Sequence, residues 1–239
     1  MNSGNTHAAD VRLLLICHGH APSDARNEFM GPRRCRGLDR AGQQQARLLG
    51  QRLAAQHLQP QVIHHIDVAR AEDTANIMAA FLGHPPVLAS LSCRNYGTAD
   101  GALVDEIYAG FESPSELRPD MPFAEGAESW AQLTARVGRE LNNIIARQGG
   151  RSTVVVCDQD TIGATFQLYR GDSPDAAQSR RSGNTGITEW QLTLEKDGDP
   201  AAKKWRGKLL CHNDVAHLPN SLGTSRGRQL TSSRPPVRA

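Results

Sequence analysis

The order of apolar and polar positions divides the chain of 239 residues into short apolar runs and longer amphipathic segments. The apolar runs predict six strands, at residues 11–16, 61–66, 87–91, 152–157, 186–194 and 205–211. Apolar residues recurring every three to four positions predict helices at 38–56, 67–82 and 128–148, with a shorter helix at 161–169. Asp67 is expected to cap the second of these helices. Strands alternating with helices of this length predict an α/β protein with three layers, α/β/α, and a mostly parallel central sheet.

A single domain is the simplest organisation, because a chain of this length can bury one sizeable core. We expect this domain to span residues 11–219, preceded by a polar, disordered lead at 1–10. An irregular stretch rich in Gly, Pro and acidic residues, at about 92–126, predicts an insertion of short helices that forms a lid. A Ser-, Arg- and Pro-rich tail at 220–239 is expected to be disordered.

Charge and composition limit the kinds of molecule that the protein is expected to bind. The net charge of +2 is too small to indicate nucleic acid or an anionic membrane surface. No run of about 18 apolar residues predicts a transmembrane helix, and the polar N-terminus lacks the apolar core of a signal peptide. An odd number of cysteines, five, then favours reduced thiols in a cytoplasmic protein. We therefore predict a small-molecule ligand and no cofactor, and leave homo-oligomerisation open.

The strongest chemical signal is the end of the first predicted strand, Leu-Leu-Leu-Ile-Cys-His-Gly-His at 13–20. Four apolar residues predict a buried strand that Gly19 ends at once. His18 then lies where a buried parallel strand ends, and ligands bind at that edge of an α/β sheet. A lone histidine is more often a packing residue, so its surroundings decide its role.

The chain resembles the histidine phosphatase (phosphoglycerate mutase-like) superfamily over residues 11–218. That family ends its first strand with Arg-His-Gly, where the chain has Cys17-His18-Gly19. Further similar segments follow in the same order: 20–31, Gly37-Leu38 with Gly42 and Gln45-Ala46, Arg70-Ala71 with Thr74-Ala75, Cys93 to Gly97, Gly126 with Glu128-Ser129, and Asn213-Asp214 with His217-Leu218. The resemblance implies a phosphoglycerate mutase-like fold and a pocket around His18, the nucleophile position of the family.

Several chemical positions depart from the family pattern. The family's first Arg, its proton-donor Glu, its second His and a phosphate-contacting Asn correspond to Cys17, Cys93, Asp158 and Asp24. Of the usual set, the resemblance leaves only His18 and Arg70. Forked Arg donors and imidazolium hold a phosphoryl group, so these replacements make the pocket more negative. The resemblance therefore implies a diverged member with a degenerate active site.

The candidate site residues follow from the same correspondence. The catalytic candidates are His18, Asp158, Cys17 and Cys93, and the substrate-binding candidates are Arg70, Asp24 and Arg94. The two cysteines admit three interpretations: small buried hydrophobes, a thiol nucleophile beside an imidazole, or, with His18 and Asp158, ligands of zinc. No Cys-x-x-Cys spacing supports the metal, so we predict no metal site.

Three functions remain open at this point. The first is a repurposed enzyme that acts on a small metabolite other than a phosphomonoester. The second is a catalytically inactive binding or scaffold protein, and the third is a weak phosphomonoesterase or mutase that works through His18. Two carboxylates near His18 favour its protonated form, in which case His18 serves as the acid and Asp158 as the base.

Overall fold

A computed structural model describes residues 11–58, 60, 62–109, 111, 118–147, 152–195 and 205–223. The strands are β1 (Val11–Cys17), β2 (Ile63–His65), β3 (Pro86–Leu88), β4 (Thr153–Cys157), β5 (Ile187–Leu194) and β6 (Trp205–Asp214). The helices are α1 (Pro22–Arg26), α2 (Arg40–Ala55), α3 (Ala69–Leu82), α4 (Val104–Ala109), α5 (Trp130–Arg147), α6 (Gln159–Arg170) and α7 (Pro174–Gln178), with a 3₁₀ turn at Gly97–Ala99. The predicted lead, and most of the predicted tail, lie outside the described residues.

The six strands form one sheet in the order β3-β2-β4-β1-β5-β6. The first four are parallel to one another, and β5 runs antiparallel to both of its neighbours, β1 and β6. The predicted α/β fold with a mostly parallel sheet is therefore confirmed. In the β1–β4 register, Cys17 pairs with Cys157, so the two residues that follow, His18 and Asp158, leave the sheet side by side.

Burial explains why β1 and β4 form the centre of the sheet. All five residues of β4 and all but Arg12 of β1 are buried. Parallel strands buried on both faces need helices above and below. Helices α2 and α3 pack against each other, as do α5 and α6. Within the described residues, no helix is both long and apolar enough to span a membrane.

Two short helices and one helix start differ from the sequence prediction. Helices α1 and α7 have five residues each and begin with proline, a favoured first helical residue; they are too short to show an apolar period. Helix α3 was expected to be capped by Asp67, but its N-cap position is Val68. The Asp67 carboxylate instead accepts the backbone N–H of Cys93 at 3.1 Å.

The turn after β1 lies directly on helix α2. A Cβ atom on Gly19 would come within 2.8 Å of the backbone oxygen of Gly42, and one on Gly42 would overlap the backbone of His20. Gln45, one turn further along α2, accepts the His20 N–H through Oε1 and donates through Nε2 to Leu222 O, both at 2.9 Å. Helix α2 thereby fixes the backbone at Gly19 and His20.

The region predicted as a lid, 92–126, is described in part. It holds the 3₁₀ turn and α4, and it contributes to a second hydrophobic cluster separate from the main core. In this cluster the ring of Phe29 lies 5.0 Å from the rings of both Tyr96 and Phe123. The aromatic contacts join this region to the loop that follows α1; movement as a lid stays a prediction.

Candidate active site

The backbone of His18 is fixed by two neighbouring segments. Its N–H donates to the carbonyl of Cys157 in the adjacent strand at 2.9 Å. Its carbonyl accepts from the side chain of Asn184 at 3.2 Å and from the N–H of Thr185 at 3.1 Å. The position of His18 at the sheet edge is therefore determined by β4 on one side and by the turn before β5 on the other.

The imidazole of His18 is 4% exposed. Its Nδ1 lies 2.9 Å from the carbonyl oxygen of Gly19, which can only accept, so Nδ1 carries the hydrogen. In the neutral ring Nε2 then keeps its lone pair. Burial, followed by the positive charge of Arg70, lowers the pKa of His18 to about 4. The prediction that His18 is protonated is therefore wrong, because burial outweighs the carboxylate of Asp24.

Asp24 is the carboxylate nearest to His18, with Oδ2 4.0 Å from Nδ1. The same oxygen accepts the N–H of Ala21 at 2.9 Å and the side-chain amide of Asn184 at 3.0 Å. These two donors place the carboxylate at the first turn of α1. Asp24 therefore stabilises the loop around His18 and is already hydrogen-bonded before any ligand enters.

Arg70, in the first turn of α3, is 4% exposed. Its Nη1 donates to Met30 O at 2.8 Å, while Nε is buried with no hydrogen-bond partner. Burial acts to lower the pKa of Arg70, and nearby groups, among them Tyr96 and Asp158, outweigh it and raise that pKa. A guanidinium that stays charged with a free donor is suited to holding an acceptor atom of a ligand.

Asp158 caps the N-terminus of α6. Its Oδ1 accepts the N–H of Thr161 at 2.7 Å, while Oδ2 is buried without a partner. Burial, followed by the charge of Asp160, raises the pKa of this carboxyl. The sequence carried a signal for this role, since an Asp between a strand and a helix is a preferred cap. Thus one carboxylate oxygen of Asp158 caps helix α6, and the other has no hydrogen-bond partner.

The two candidate thiols are buried. Burial raises the pKa of Cys17 strongly, with Asp24 and Asp158 adding to the effect, and burial followed by Asp158 raises the pKa of Cys93. Reactive thiols need the opposite, an electropositive and partly exposed setting. The structure therefore favours packing roles for both. Among the described residues, no three His, Cys, Asp or Glu side chains lie close enough together to hold a metal ion, as the zinc interpretation requires.

Electrostatic interactions join most of the candidates around one cation. Cys17, Cys93, Asp158 and His18 all interact with Arg70. Arg94 is held differently: its guanidinium donates to Glu128 O through Nε and Nη2, at 3.2 and 3.1 Å. That group also stacks over Phe123 and lies 3.5 Å from Asp160. Arg94 is therefore linked to the site indirectly, through Asp160 in the first turn of α6.

A chain of contacts behind His18 was not foreseen from the sequence. Thr185 adopts a left-handed backbone, with φ of 57°, which is rare for a β-branched residue. Its N–H donates to the carbonyls of Cys17 and His18, and its Oγ1 lies 2.9 Å from Nε2 of His217. On the other side of that ring, Arg52 bonds Asp214 with both Nη atoms. No local sequence signal predicts positive φ at a threonine.

One surface groove lies apart from these residues. It encloses about 370 Å³ and is lined by Gln191, Thr193, Arg206, Gly207 and Lys208 on strands β5 and β6. None of the candidate residues lines it. We place the site at His18 because the buried, unsatisfied polar atoms of Arg70 and Asp158 are concentrated there.

The strand order and helix arrangement define a phosphoglycerate mutase-like α/β protein. The chain belongs to the histidine phosphatase superfamily (branch 1), whose sequence profile matches residues 13–206. No curated protein matches the chain by sequence.

Solved structures share the fold at low sequence identity. Phosphoserine phosphatase of Entamoeba histolytica, in complex with 3-phosphoglyceric acid, is 21% identical with a TM-score of 0.72, over 87% of this chain and 100% of that one. YhfR of Bacillus stearothermophilus is 19% identical with a TM-score of 0.71, over 87% and 98% of the two chains. A mycobacterial glucosyl-3-phosphoglycerate phosphatase is 22% identical with a TM-score of 0.68, over 83% and 97%.

Acid should destabilise the protein through His18 and His217. The pKa of His18 and that of His217, both about 4 when folded, lie below the ordinary value of about 6.5. The unfolded chain therefore binds more protons between these values, and stability falls as pH drops through that window. For His18 alone the loss between pH 7 and pH 5 is about 2 kcal/mol.

Urea unfolding at the two pH values measures this loss. The variant His217→Gln should lose less stability than the wild type between pH 7 and pH 5, because one of the two histidines is gone. Equal unfolding free energies of the wild type at both pH values would contradict the assignment of lowered pKa values to these two histidines.

Proposed function

We propose that the chain is a diverged member of its family with a degenerate phosphate site, and that it uses the ancestral pocket for a small metabolite other than a phosphomonoester. The observation that carries this proposal is Asp158, whose Oδ2 is buried and unpaired beside Arg70 and the turn that holds His18. A carboxylate there repels a phosphoryl group, whereas it can accept from a neutral or cationic donor. Two of the structural neighbours are phosphatases, but at 21–22% identity they share the fold and carry no argument about this chemistry.

The charges around the site support the proposal. Arg70 is the cation whose electrostatic interactions reach all four of His18, Cys17, Cys93 and Asp158. Arg136 also interacts with Cys93 and Asp158, but its guanidinium is already paired with the carboxylate of Glu128. His18 is neutral above a pH of about 4 and adds no positive charge. One opposing unit charge at about 4 Å, with an effective dielectric constant near 20, is worth about 4 kcal/mol. A dianionic phosphate monoester would therefore bind weakly, and a neutral molecule with a donor and an acceptor side by side fits better.

In this pocket each side chain has a distinct task. Arg70 offers Nε to an acceptor atom of the ligand, and Asp158 offers Oδ2 to a donor atom. His18 has a lone pair on Nε2 and can accept a proton or attack an electrophilic centre. Asn184 keeps Asp24 and the His18 carbonyl in place.

A second function, slow phosphoryl transfer through His18, is favoured by one observation. A neutral imidazole whose Nδ1–H is fixed to the Gly19 carbonyl presents Nε2 as a nucleophile. In that case His18 would form a phosphohistidine with Arg70 as the remaining clamp. The absence of a charged donor at the position of Asp158 would make this reaction slow.

Hydrolysis of an aryl phosphate separates the two functions. We expect turnover of para-nitrophenyl phosphate by the wild type to be no faster than by His18→Ala, because the other groups that would hold the phosphate with Arg70 are replaced in this chain. His84→Ala, a change in a loop outside the site, serves as the matched control. A wild-type rate well above background that His18→Ala abolishes and His84→Ala preserves would establish the phosphatase function instead. The same variants, screened for thermal stabilisation by uncharged and cationic metabolites, test the repurposed pocket directly.

A further inference from the structure

A histidine and an aspartate that have no role in the proposed pocket form a hydrogen-bonded pair beside the turn after β1. Nδ1 of His20 lies 2.6 Å from Oδ2 of Asp39. Burial acts to raise the pKa of Asp39, and hydrogen bonds from Gly42 and His20 outweigh it and lower that pKa. The ionised carboxylate can only accept, so Nδ1 of His20 carries the hydrogen and Nε2 keeps a lone pair in the neutral ring.

Both partners of this pair are held in place by further hydrogen bonds. The other oxygen of Asp39, Oδ1, accepts the N–H of Gly42 at 2.9 Å, which makes Asp39 the N-cap of α2. The His20 N–H donates to Gln45 Oε1 at 2.9 Å, and the His20 carbonyl accepts from the N–H of Asp39 at 3.2 Å. The imidazole is thus oriented by a carboxylate before any ligand binds, which is the arrangement of a histidine that serves as a base.

The pair adjoins the site around His18. Only Gly19 separates the two histidines, and its backbone lies against α2. The next residue, Ala21, donates its N–H to Asp24 Oδ2, the same oxygen that lies 4.0 Å from Nδ1 of His18. The side chain of His20 is 25% exposed, whereas that of His18 is 5% exposed. The more accessible of the two imidazoles is therefore the one with a carboxylate bonded to its ring.

The groups already assigned to the site are poorly suited to proton exchange near neutral pH. Burial, followed by the charge of Arg70, lowers the pKa of His18 to about 4, and burial raises the pKa of both Cys17 and Cys93. General acid–base catalysis is most efficient when the pKa of the group lies near the working pH, and imidazole is the side chain that most often meets this condition. An accessible imidazole with a fixed carboxylate partner supplies what these groups lack.

We propose that His20, oriented by Asp39, is the acid–base group of the site, a role that rests on the proposed function because it acts on the ligand of that pocket. Nε2 takes a proton from a hydroxyl or ammonium group of the ligand. The bond between the ligand atom and its hydrogen breaks, the electron pair stays on the ligand, and an N–H bond forms at Nε2. Nδ1–H stays in place, and the carboxylate of Asp39 stabilises the imidazolium without taking up the proton. Return of the proton to the product restores the neutral ring.

Carbethoxylation of the full-length chain by diethyl pyrocarbonate tests the lone pair on Nε2 without any ligand. At pH 8, with the modified residues mapped by mass spectrometry, Asp39→Asn should slow modification of His20 about tenfold, because the hydrogen bond to a charged partner is lost. Asn is as good a helix cap as Asp, so α2 should stay folded. Asp175→Asn, which changes an exposed carboxylate in α7, is the control.

Nitrogen-15 NMR should show the same change in the ring of His20. The hydrogen should be on Nδ1 in the wild type and on Nε2 in Asp39→Asn, because the amide nitrogen of the new side chain donates where Oδ2 accepted. An equal carbethoxylation rate, or the same tautomer, in Asp39→Asn and the wild type would overturn the proposal.

The titration of His18 tests whether the pair belongs to the site. The charge of His20 contributes to the low pKa of His18, after burial and Arg70. His20→Gln should therefore raise the pKa of His18 measured by histidine NMR, while His84→Gln should not. An unchanged His18 titration in His20→Gln would place the pair outside the site and refute its role there. None of these measurements uses a ligand or a phosphate ester, so failure of the proposed function remains distinguishable from failure of this inference.

Discussion

Asp158→Asn should bind inorganic sulfate or phosphate about 10- to 1,000-fold more tightly than the wild type. The change removes the negative charge and keeps an oxygen for the Thr161 N–H, since Asn is as good a helix cap as Asp. Isothermal titration calorimetry measures the affinity. Thermal unfolding should show a stability that is equal or higher at neutral pH, because the variant has no buried charge to desolvate.

The difference in sulfate affinity between Asp158→Asn and the wild type should depend on pH in a defined direction. Burial raises the pKa of Asp158, so the wild-type carboxyl loses its proton, and begins to repel anions, as pH rises through that value. The advantage of Asp158→Asn for sulfate, a dianion throughout, should therefore be larger at pH 8 than at pH 5. Asp175→Asn, which removes an exposed carboxylate from the first turn of α7, is the control. Equal sulfate affinity in all three proteins would show that the charge of Asp158 does not shape the pocket.

Gly42→Ala should destabilise the protein by about 3 kcal/mol or more, the upper range for overpacked positions. A Cβ atom there overlaps the His20 backbone, and backbone atoms on both sides leave no flexible side chain to move. Relief requires the turn after β1 to separate from α2, which would disturb the bond from His20 N–H to Gln45. Urea unfolding and the His18 NMR signal should both change.

Gly138→Ala, another glycine inside a helix, is the matched control. A Cβ atom at Gly138 meets only the end of the Leu168 side chain, at 3.0 Å. Replacing glycine by alanine in a helix interior gains about 0.5–1 kcal/mol, so this variant should be neutral or stabilised. If Gly42→Ala were equally stable, the close approach of the turn to α2 would not be a constraint on the site.

Elements with a continuous apolar pattern could be predicted from the sequence. Strands β1 and β4 are apolar except at Arg12 and Thr153, and α5 places seven buried residues on one face, so burial and period coincide. The five-residue helices α1 and α7 have no such period, and their prolines mark only a start. Asp67 resembled a helix cap, yet its carboxylate bonds a loop that is distant in sequence, and no local rule separates the two cases.

The sequence pointed to the residues that the fold brings together, and their roles stay predictions. The order of similar segments indicated His18, Arg70 and Asp158, and in the fold His18 and Asp158 each interact electrostatically with Arg70. The protonation of His18 was mispredicted, because the depth of burial that lowers its pKa depends on packing. The role of Thr185 was hidden for a different reason: its left-handed backbone is imposed by contacts with β1, against its own preference.

The contacts of Gln45 and Thr185 with the C-terminal segment bear on where the domain ends. The last strand stops at Asp214, but His217 adjoins the Thr185 hydroxyl and Leu222 receives the amide of Gln45. Thr185 donates to the carbonyls of Cys17 and His18, and Gln45 accepts the N–H of His20, so the two residues hold the backbone on both sides of the His18 side chain. A shortened chain that retained every strand could thus keep its sheet and still misplace His18. A shortened protein made for expression or engineering should therefore retain His217 and Leu222 rather than end after the last strand at Asp214.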